Sequence, residues 1–506
     1  MKINELIRRK SLDRLREDAE SSGNLSLKRS LGPWDLTSLG IGAVIGAGIF
    51  AVIGTAAAGG ASQHGAGPAV SLSFVITAIA CAFCAFCYAE FAALVPIAGS
   101  AYTYSYATLG EMIAWIVGWD LILEYGIGNV AVAIGWSAYF DQLLHGLGLH
   151  VPAWLAVDWR SAHQAAGAAL AAGGSVPSHM AKALEAWNAA PVIGGVHVIF
   201  NLLAGGVVAF ITWILVIGVK ESARFNNVMV ALKLLILVFF IVVGAMYVKP
   251  SNWSPFMPNG FTGVWIGASL IFFAFIGFDA VSTAAEECRN PGRDMPIGII
   301  ASLGVCTVIY VATALVLTGI EPWQKLGVPN PLASAFSSIG LDWAAGIVSL
   351  GAVISMTAVL LVFQLGQPRI FFAMSRDGLL PKYFARVHPK YRTPHVTTIW
   401  SGVAVGSIAA VTNINEMVEL TNIGTLFAFV LVCAGILILR RTEPDRPRTF
   451  KTPLVPLIPL LGIAMCIYLM LGLPWATWLR FGLWLAAGLA VYFVYGYRHS
   501  LLKKRG

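Results

Sequence analysis

The sequence predicts an all-α polytopic membrane protein with twelve transmembrane helices, and three observations carry that prediction. Of its 506 residues, 58% are Ala, Val, Ile, Leu, Met, Phe, Trp, Tyr or Cys, and the 52 glycines bring the chain to about two-thirds apolar; soluble domains run at roughly 45–50%. The apolar residues fall into twelve stretches of about the 20 residues that a helix needs to cross the hydrocarbon core of a bilayer. Lys and Arg are shared out between those stretches with an alternating bias: 27 lie in segments on the side of the N-terminus, 5 lie in the opposite loops, and Lys233, deep in the fifth stretch, completes the 33. Basic residues mark the cytoplasmic side, so both termini are expected in the cytoplasm of a cell-membrane protein.

The same arithmetic excludes other classes. Charged residues make up 11% of the chain, against about 25% in globular domains, which rules out a water-soluble enzyme. Disorder requires low hydrophobicity and high charge. Seven Cys, an odd number in a chain of this length, make no disulfide framework. The excess of 33 Lys and Arg over 25 Asp and Glu is a topology signal rather than a nucleic-acid patch.

Taken in order, residues 1–33 contain Arg8 and Arg9 but no apolar core ahead of a cleavage site, and read as a solvated cytoplasmic tail rather than a signal peptide. The first span, 36–58, contains GIGAVIGAGIF, whose Gly40, Gly42, Gly46 and Gly48 each weaken a helix interior by about 1 kcal/mol relative to Ala. In the second, 69–95, Cys81, Cys84 and Cys87 share a face and read as small packing residues. The third, 101–140, is long enough to tilt or kink and carries Glu124. An outer loop at 141–191 has His145, His150, His163 and His179 without metal-ligand spacing. The fourth and fifth spans follow at 192–216 and 225–248, the latter with Lys233 about ten residues in.

The sixth span, 262–287, contains FFAFIGFDAVSTAAEECRNP, with Gly277 beside Asp279 near the expected midplane; Glu286 and Glu287 at its end read as interfacial charges for Arg289 or Arg293. The seventh and eighth lie at 296–319 and 343–372, the eighth carrying Met356. Residues 368–395 mix aromatic and basic side chains, as a cytoplasmic interfacial segment would. Spans at 396–411, 418–440, 454–472 and 479–497 complete the twelve.

The first and sixth spans are poor helices at corresponding positions if spans 1–5 and 6–10 are two inverted halves, and paired interruptions of that kind point to a transporter binding site. Gly42 and Gly46 also fit a small-xxx-small packing motif, but Asp279 within the membrane requires a partner or a function. A break at Gly46, Ala47 and Gly48 frees N–H groups with a positive dipole end suited to a carboxylate. The carbonyls of Val44, Phe273, Ala274 and Ile276 can accept from an ammonium group. Together the two receptors match a zwitterionic α-amino acid.

GAVIGAGIF, AGSAYTYSYATLGE, GWDLILEYGIG, FAFIGFDAVSTAAEECRNPGRDMPIGI and RDGLLP, in this order, resemble the amino acid–polyamine–organocation transporters and, within them, the cationic amino acid transporter branch. The resemblance covers nearly the whole chain. It implies a leucine-transporter-like fold of 5+5 inverted repeats, with interrupted helices 1 and 6 and two additional C-terminal helices. The units expected from it are the tail 1–33, the first repeat 34–248, the second repeat 249–440 and helices 11 and 12 with the C-terminal tail at 441–506. It implies carboxylate contacts at Ala47 and Gly48, ammonium contacts at Val44, Phe273, Ala274 and Ile276, and an aromatic gate at Phe273. Some relatives carry a hydroxyl residue where this chain has Ala47, which leaves only the backbone N–H, and animal members are commonly drawn with fourteen spans rather than twelve.

The function so implied is import of L-amino acids by alternating access and proton-coupled symport, of cationic side chains such as Arg, Lys and ornithine or of small neutral ones. Exchange of amino acids or polyamines is the alternative. Glu124 and Asp279 are candidates for a cationic side chain or the proton path, and Met356 for the side-chain pocket. Lys233 lies at a depth where an ammonium is costly; its two readings are a proton-coupling amine, which the resemblance favours, and a permanent bridge to carbonyls of the broken first helix. A membrane enzyme is not expected, because no nucleophile–base pair or His-Glu-x-x-His motif occurs within the spans. A channel would need a pore ring. No cofactor is expected; the expected partners are the amino acid, protons and the bilayer, and no signal specifies an accessory subunit or an oligomer.

Overall fold

Long apolar runs without an interior breaker become long helices because in a bilayer each backbone N–H and C=O must be bonded within the segment. A computed structural model describes residues 8, 30–60, 63–94, 100–171, 176–177, 180–218, 223–391 and 393–502. Its main helices are α1 (Pro33–Val44), α2 (Ile53–Ala58), α3 (Val70–Leu94), α4 (Ser100–Thr108), α5 (Glu111–Gly146), α6 (Trp159–Ala171), α7 (Ala181–Ala189), α8 (Leu202–Ile217), α9 (Ala223–Ala245) and α10 (Gly260–Ile271). They continue with α11 (Pro291–Ile320), α12 (Pro331–Ser338), α13 (Asp342–Arg376), α14 (His395–Val411), α15 (Ile414–Thr442), α16 (Leu457–Leu471) and α17 (Trp475–Val491). Most of the 1–33 tail, His179 and residues 503–506 lie outside the described residues.

Among the described residues, nine helical stretches are long and apolar enough to cross a membrane, and α8, α14 and α16 are shorter apolar helices. The chain is therefore a polytopic helical membrane protein. Leu235, Val308 and Leu483 are each more than 60% exposed, an outward apolar surface that lipid can solvate. Between helices in lipid there is little hydrophobic drive, so association depends on close packing and on polar contacts. α5 runs through the centre against α13 and α15, while α11 packs on α1 and α3. Cys84 Sγ lies 3.4 Å from Cys466 Sγ and 3.8 Å from Cys433 Sγ in a wholly buried seam. The fully buried Glu90 ties α3 to the end of α15 and the segment after it: Arg440 Nη2 donates to its Oε2 over 3.0 Å and the Thr452 N–H over 2.8 Å, while Arg440 Nε and Arg448 Nε stand 2.9 and 3.1 Å from Oε1 as ion pairs.

Three elements differ from the sequence expectation. The single third span is two helices, α4 and α5, because Gly110 between them has φ +98°, a conformation open to Gly and poorly tolerated by other residues. The fourth span starts late: Val192–Ile193 and Val196–His197 pair as a two-residue hairpin and the helix begins at Leu202, with Asn201 Oδ1 accepting the Ala204 N–H at 3.0 Å. The loop expected at 141–191, with the residues just after it, is a small folded unit in which Ala153, Ala162, Ala186, Ala190 and Ile199 form their own core. Within it His163 and Trp187 are edge to face, Trp187 stacks on His197, and the Nδ1 atoms of His145 and His150 are 2.9 Å apart.

Asp158 starts α6, its Oδ1 accepting the Ser161 N–H at 2.8 Å. Burial pushes its carboxyl up from the ordinary 3.8 to about 6, more than the hydrogen bonds from Ser161 lower it. A carboxyl with a raised folded-state pKa binds its proton more tightly in the folded unit, so stability falls as pH rises through about 6 and is fully present below the ordinary value. Amide exchange in α6, corrected for intrinsic rate, should be slower at pH 5 than at pH 7.5. Asp158→Asn, which keeps the cap, should flatten that difference; protection that increases with pH would contradict the assignment.

Candidate functional site

Where the first expected span carries its glycines the helix does not continue. α1 stops at Val44, Ile45 is extended at φ −75° and ψ 98°, and after Ala47 the chain resumes as a π turn over Gly48–Val52 that leads into α2. The Phe50 N–H reaches back to Gly46 O over 3.3 Å, and the N–H groups at the head of a helical segment find no acceptor within that segment. The sixth expected span changes in the same way: α10 gives way to a 3-10 turn at Phe272–Phe275, Ile276 is extended at ψ 134°, Gly277 has φ +114°, and a 3-10 segment follows over Asp279–Glu287.

The two breaks touch. A Cβ on Gly48 would overlap Ala274, at 2.5 Å from its Cβ and 2.7 Å from its N, and one on Gly277 would stand 2.9 Å from the carbonyl of Ala43. Gly46 faces α13, where Val359 Cγ2 would be 2.9 Å from an added Cβ. Val44, Ala47, Phe273, Ala274 and Ile276 are all buried. From α5, Gly135 approaches the same place: its Cβ would lie 3.3 Å from Met356 Sδ and 3.6 Å from Ala47 Cβ. Met356 therefore lies near the first break.

Several freed carbonyls have partners. Tyr310 Oη donates to Val44 O over 2.9 Å, which occupies one of its two acceptor positions. Lys233 on α9, 1% exposed, donates to Gly42 O at 2.7 Å and Ile45 O at 3.3 Å. The small Gly42 permits this approach, since a Cβ there would be 2.9 Å from Val230 Cγ2, one turn along from Lys233. No carboxylate pairs with Lys233 among the described residues. Asn422 on α15 donates to Ser269 O and Leu270 O at 2.8 and 3.0 Å, holding the end of α10.

Glu124 and Asp279 are within mutual electrostatic reach and both buried, and the Thr425 hydroxyl on α15 donates to the Thr421 carbonyl over 3.0 Å. Asp120, one turn earlier on α5, joins them; it is fully buried, and a Cβ on Gly424 opposite would come 2.6 Å from its Oδ1. The side chain of Glu286 lies outside the described residues. The Glu287 carbonyl accepts the N–H groups of Ser30 and Leu31, and no ion pair joins its side chain to Arg289 or Arg293 among the described residues.

Sequence reasoning missed Asp120, Gly135, Tyr310 and Asn422. Asp120 and Asn422 had a signal, being strongly polar residues inside apolar spans, and Asp120 is four residues before Glu124, on the same helix face. Gly135 and Tyr310 had none, because their significance depends on which helix faces them.

Residues 31–493 match the family model described as amino acid permease. The chain is 48% identical over 501 residues to the branched-chain amino acid permease BcaP of Bacillus subtilis (strain 168), covering 99% of both chains. It is 46% identical over 502 residues to the methylthioribose transporter of the same organism, covering 99% of this chain and all of the relative. It is 36% identical over 449 residues to the vacuolar cationic amino acid transporter 4 of Arabidopsis thaliana, covering 88% of this chain and 68% of that one.

Proposed function

We infer the function from one premise: this chain belongs to the amino acid permease family. It is a multi-pass membrane transporter and not an enzyme. We propose that it imports L-amino acids by alternating access at a site formed by the two broken helices. The observation that carries this is the contact of Gly48 with Ala274 and of Gly277 with Ala43, which sets the free N–H end of one half-helix beside the carbonyl end of the other. In our reading Ala47 and Gly48 take the substrate carboxylate, Val44, Phe273, Ala274 and Ile276 its ammonium, and Gly46 the bend between them. Phe273 gates the site. The first repeat is 34–248, the second 249–440, and 441–506 forms the two additional helices and the tail.

At the side-chain end, Met356 near Gly135 and Ala47 offers an apolar wall for neutral substrates, in keeping with the similarity to a branched-chain permease. Glu124 and Asp279 offer carboxylates for a cationic chain, in keeping with the similarity to cationic transporters. Melting-temperature shifts across the twenty amino acids separate the two readings: shifts confined to Leu, Ile, Val and Ala select the first, and shifts with Arg and Lys the second.

Transport itself is tested by uptake into proteoliposomes as a function of concentration. Saturation is expected; flux that stays linear to tens of millimolar would mean a channel. For topology, Leu170, 86% exposed at the end of α6, is read as extracellular. A cysteine placed there should react with an impermeant maleimide in intact cells, and labelling only after lysis would reverse the orientation.

A further inference from the structure

At the start of α11 a groove of about 1060 Å³ opens between Arg289, Asn290, Gly292 and Arg293 on one side and Thr449 and Phe450 on the other. The cluster of the buried Glu90 with Arg440 and Arg448 holds the segment that carries Thr449 and Phe450. Gly292 lets that segment close in, for a Cβ there would overlap the Thr449 hydroxyl. The floor of the groove includes Ile297, Ile300 and Ala301. Ile297, Ala301, Val305 and Val308 are spaced as one helix face; Ile297 is 40% exposed, Val305 39% and Val308 71%. Gly304 beside them has nothing within 4 Å of an added Cβ.

The groove thus joins two surfaces of different chemistry. Its mouth presents two guanidinium groups that pair with no carboxylate among the described residues, and Lys451 adds a third exposed cation beside Phe450. Its floor runs into an apolar stripe along a helix long enough to span the bilayer. An anion with a long apolar tail satisfies both, whereas a free anion would use only the mouth and a neutral lipid only the stripe. Arg suits a phosphodiester because its planar fork can donate two bonds at once, and basic pockets between membrane helices are a recognised kind of headgroup site.

We propose that this groove binds one anionic phospholipid, its headgroup phosphate on Arg289 and Arg293 and an acyl chain along Ile297, Ala301, Val305 and Val308. The proposal needs only that α11 spans the membrane and is independent of what the protein transports. The test is native mass spectrometry of the full chain in detergent, titrated with dioleoyl phosphatidylglycerol, with dioleoyl phosphatidylcholine, or with phosphatidylglycerol plus excess inorganic phosphate. The wild type should retain phosphatidylglycerol over phosphatidylcholine. That preference should fall roughly thirtyfold in the Arg289→Ala/Arg293→Ala variant, at about fivefold per cationic residue, and persist within a few-fold in Arg289→Lys/Arg293→Lys. Val305→Ser/Val308→Ser should weaken retention of phosphatidylglycerol. Equal retention of the two lipids by the wild type, an undiminished preference in the alanine pair, or displacement of the lipid by inorganic phosphate would each overturn the proposal. The wild-type comparison decides even if the alanine pair fails to fold.

Discussion

Gly48→Val should abolish binding of every amino acid alike. Its first added carbon would overlap the backbone of Ala274, and because Ala274 belongs to the other break, neither segment can give way without separating the two. Overpacking against flexible side chains costs about 1–3 kcal/mol; against backbone at the point where the two proposed substrate receptors meet, the expected loss of affinity is a hundredfold or more, which corresponds to about 2.7 kcal/mol. Ligand-induced melting shifts with Leu, Ala and Arg measure it. Gly346→Val serves as the control, since an added Cβ there meets nothing within 4 Å, and it should bind as the wild type does. If Gly48→Val lost one substrate and kept the others, the first helix would read side chains and the common-receptor assignment would be wrong.

Lys233→Ala should separate binding from coupling. We read Lys233 as the group that takes and releases the coupled proton. A neutral amine has two N–H bonds and an ammonium three, so both forms can serve the carbonyls of Gly42 and Ile45, and the lone pair remains for a proton. With an inward gradient of two pH units, wild-type proteoliposomes should accumulate substrate more than about tenfold, within the roughly hundredfold that one coupled proton permits, and should ignore sodium. Lys233→Ala should equilibrate substrate without accumulating it, yet bind it far better than Gly48→Val does. Because Lys233→Ala also leaves two buried carbonyls unbonded, at about 1–3 kcal/mol each, Lys233→Gln is the sharper variant: its amide donates both bonds but takes no proton. Accumulation that persisted in Lys233→Gln would move the coupling role to Glu124 or Asp279, and accumulation driven by sodium would remove protons from the scheme.

The sequence by itself determined that this chain lives in a membrane, roughly where its helices run, and which two stretches carry residues unsuited to a continuous helix. Those properties are local. Hydropathy is summed over about 20 neighbouring residues, and the handicap of Gly40, Gly42, Gly46 and Gly48 belongs to their own backbone. Only the tertiary structure decided what those stretches meet: Gly48 against Ala274, Gly135 against Met356, Tyr310 on the Val44 carbonyl, Asn422 on the end of α10 and Lys233 on Gly42 and Ile45. Each contact joins helices far apart in the chain, and in lipid an apolar helix has no preferred face until small residues and buried polar groups select its neighbour. The split of the third span at Gly110 and the folded unit between α5 and α8 were illegible for a related reason. Gly and Ala in the right order permit a turn or a small core, but whether either forms depends on what packs against it.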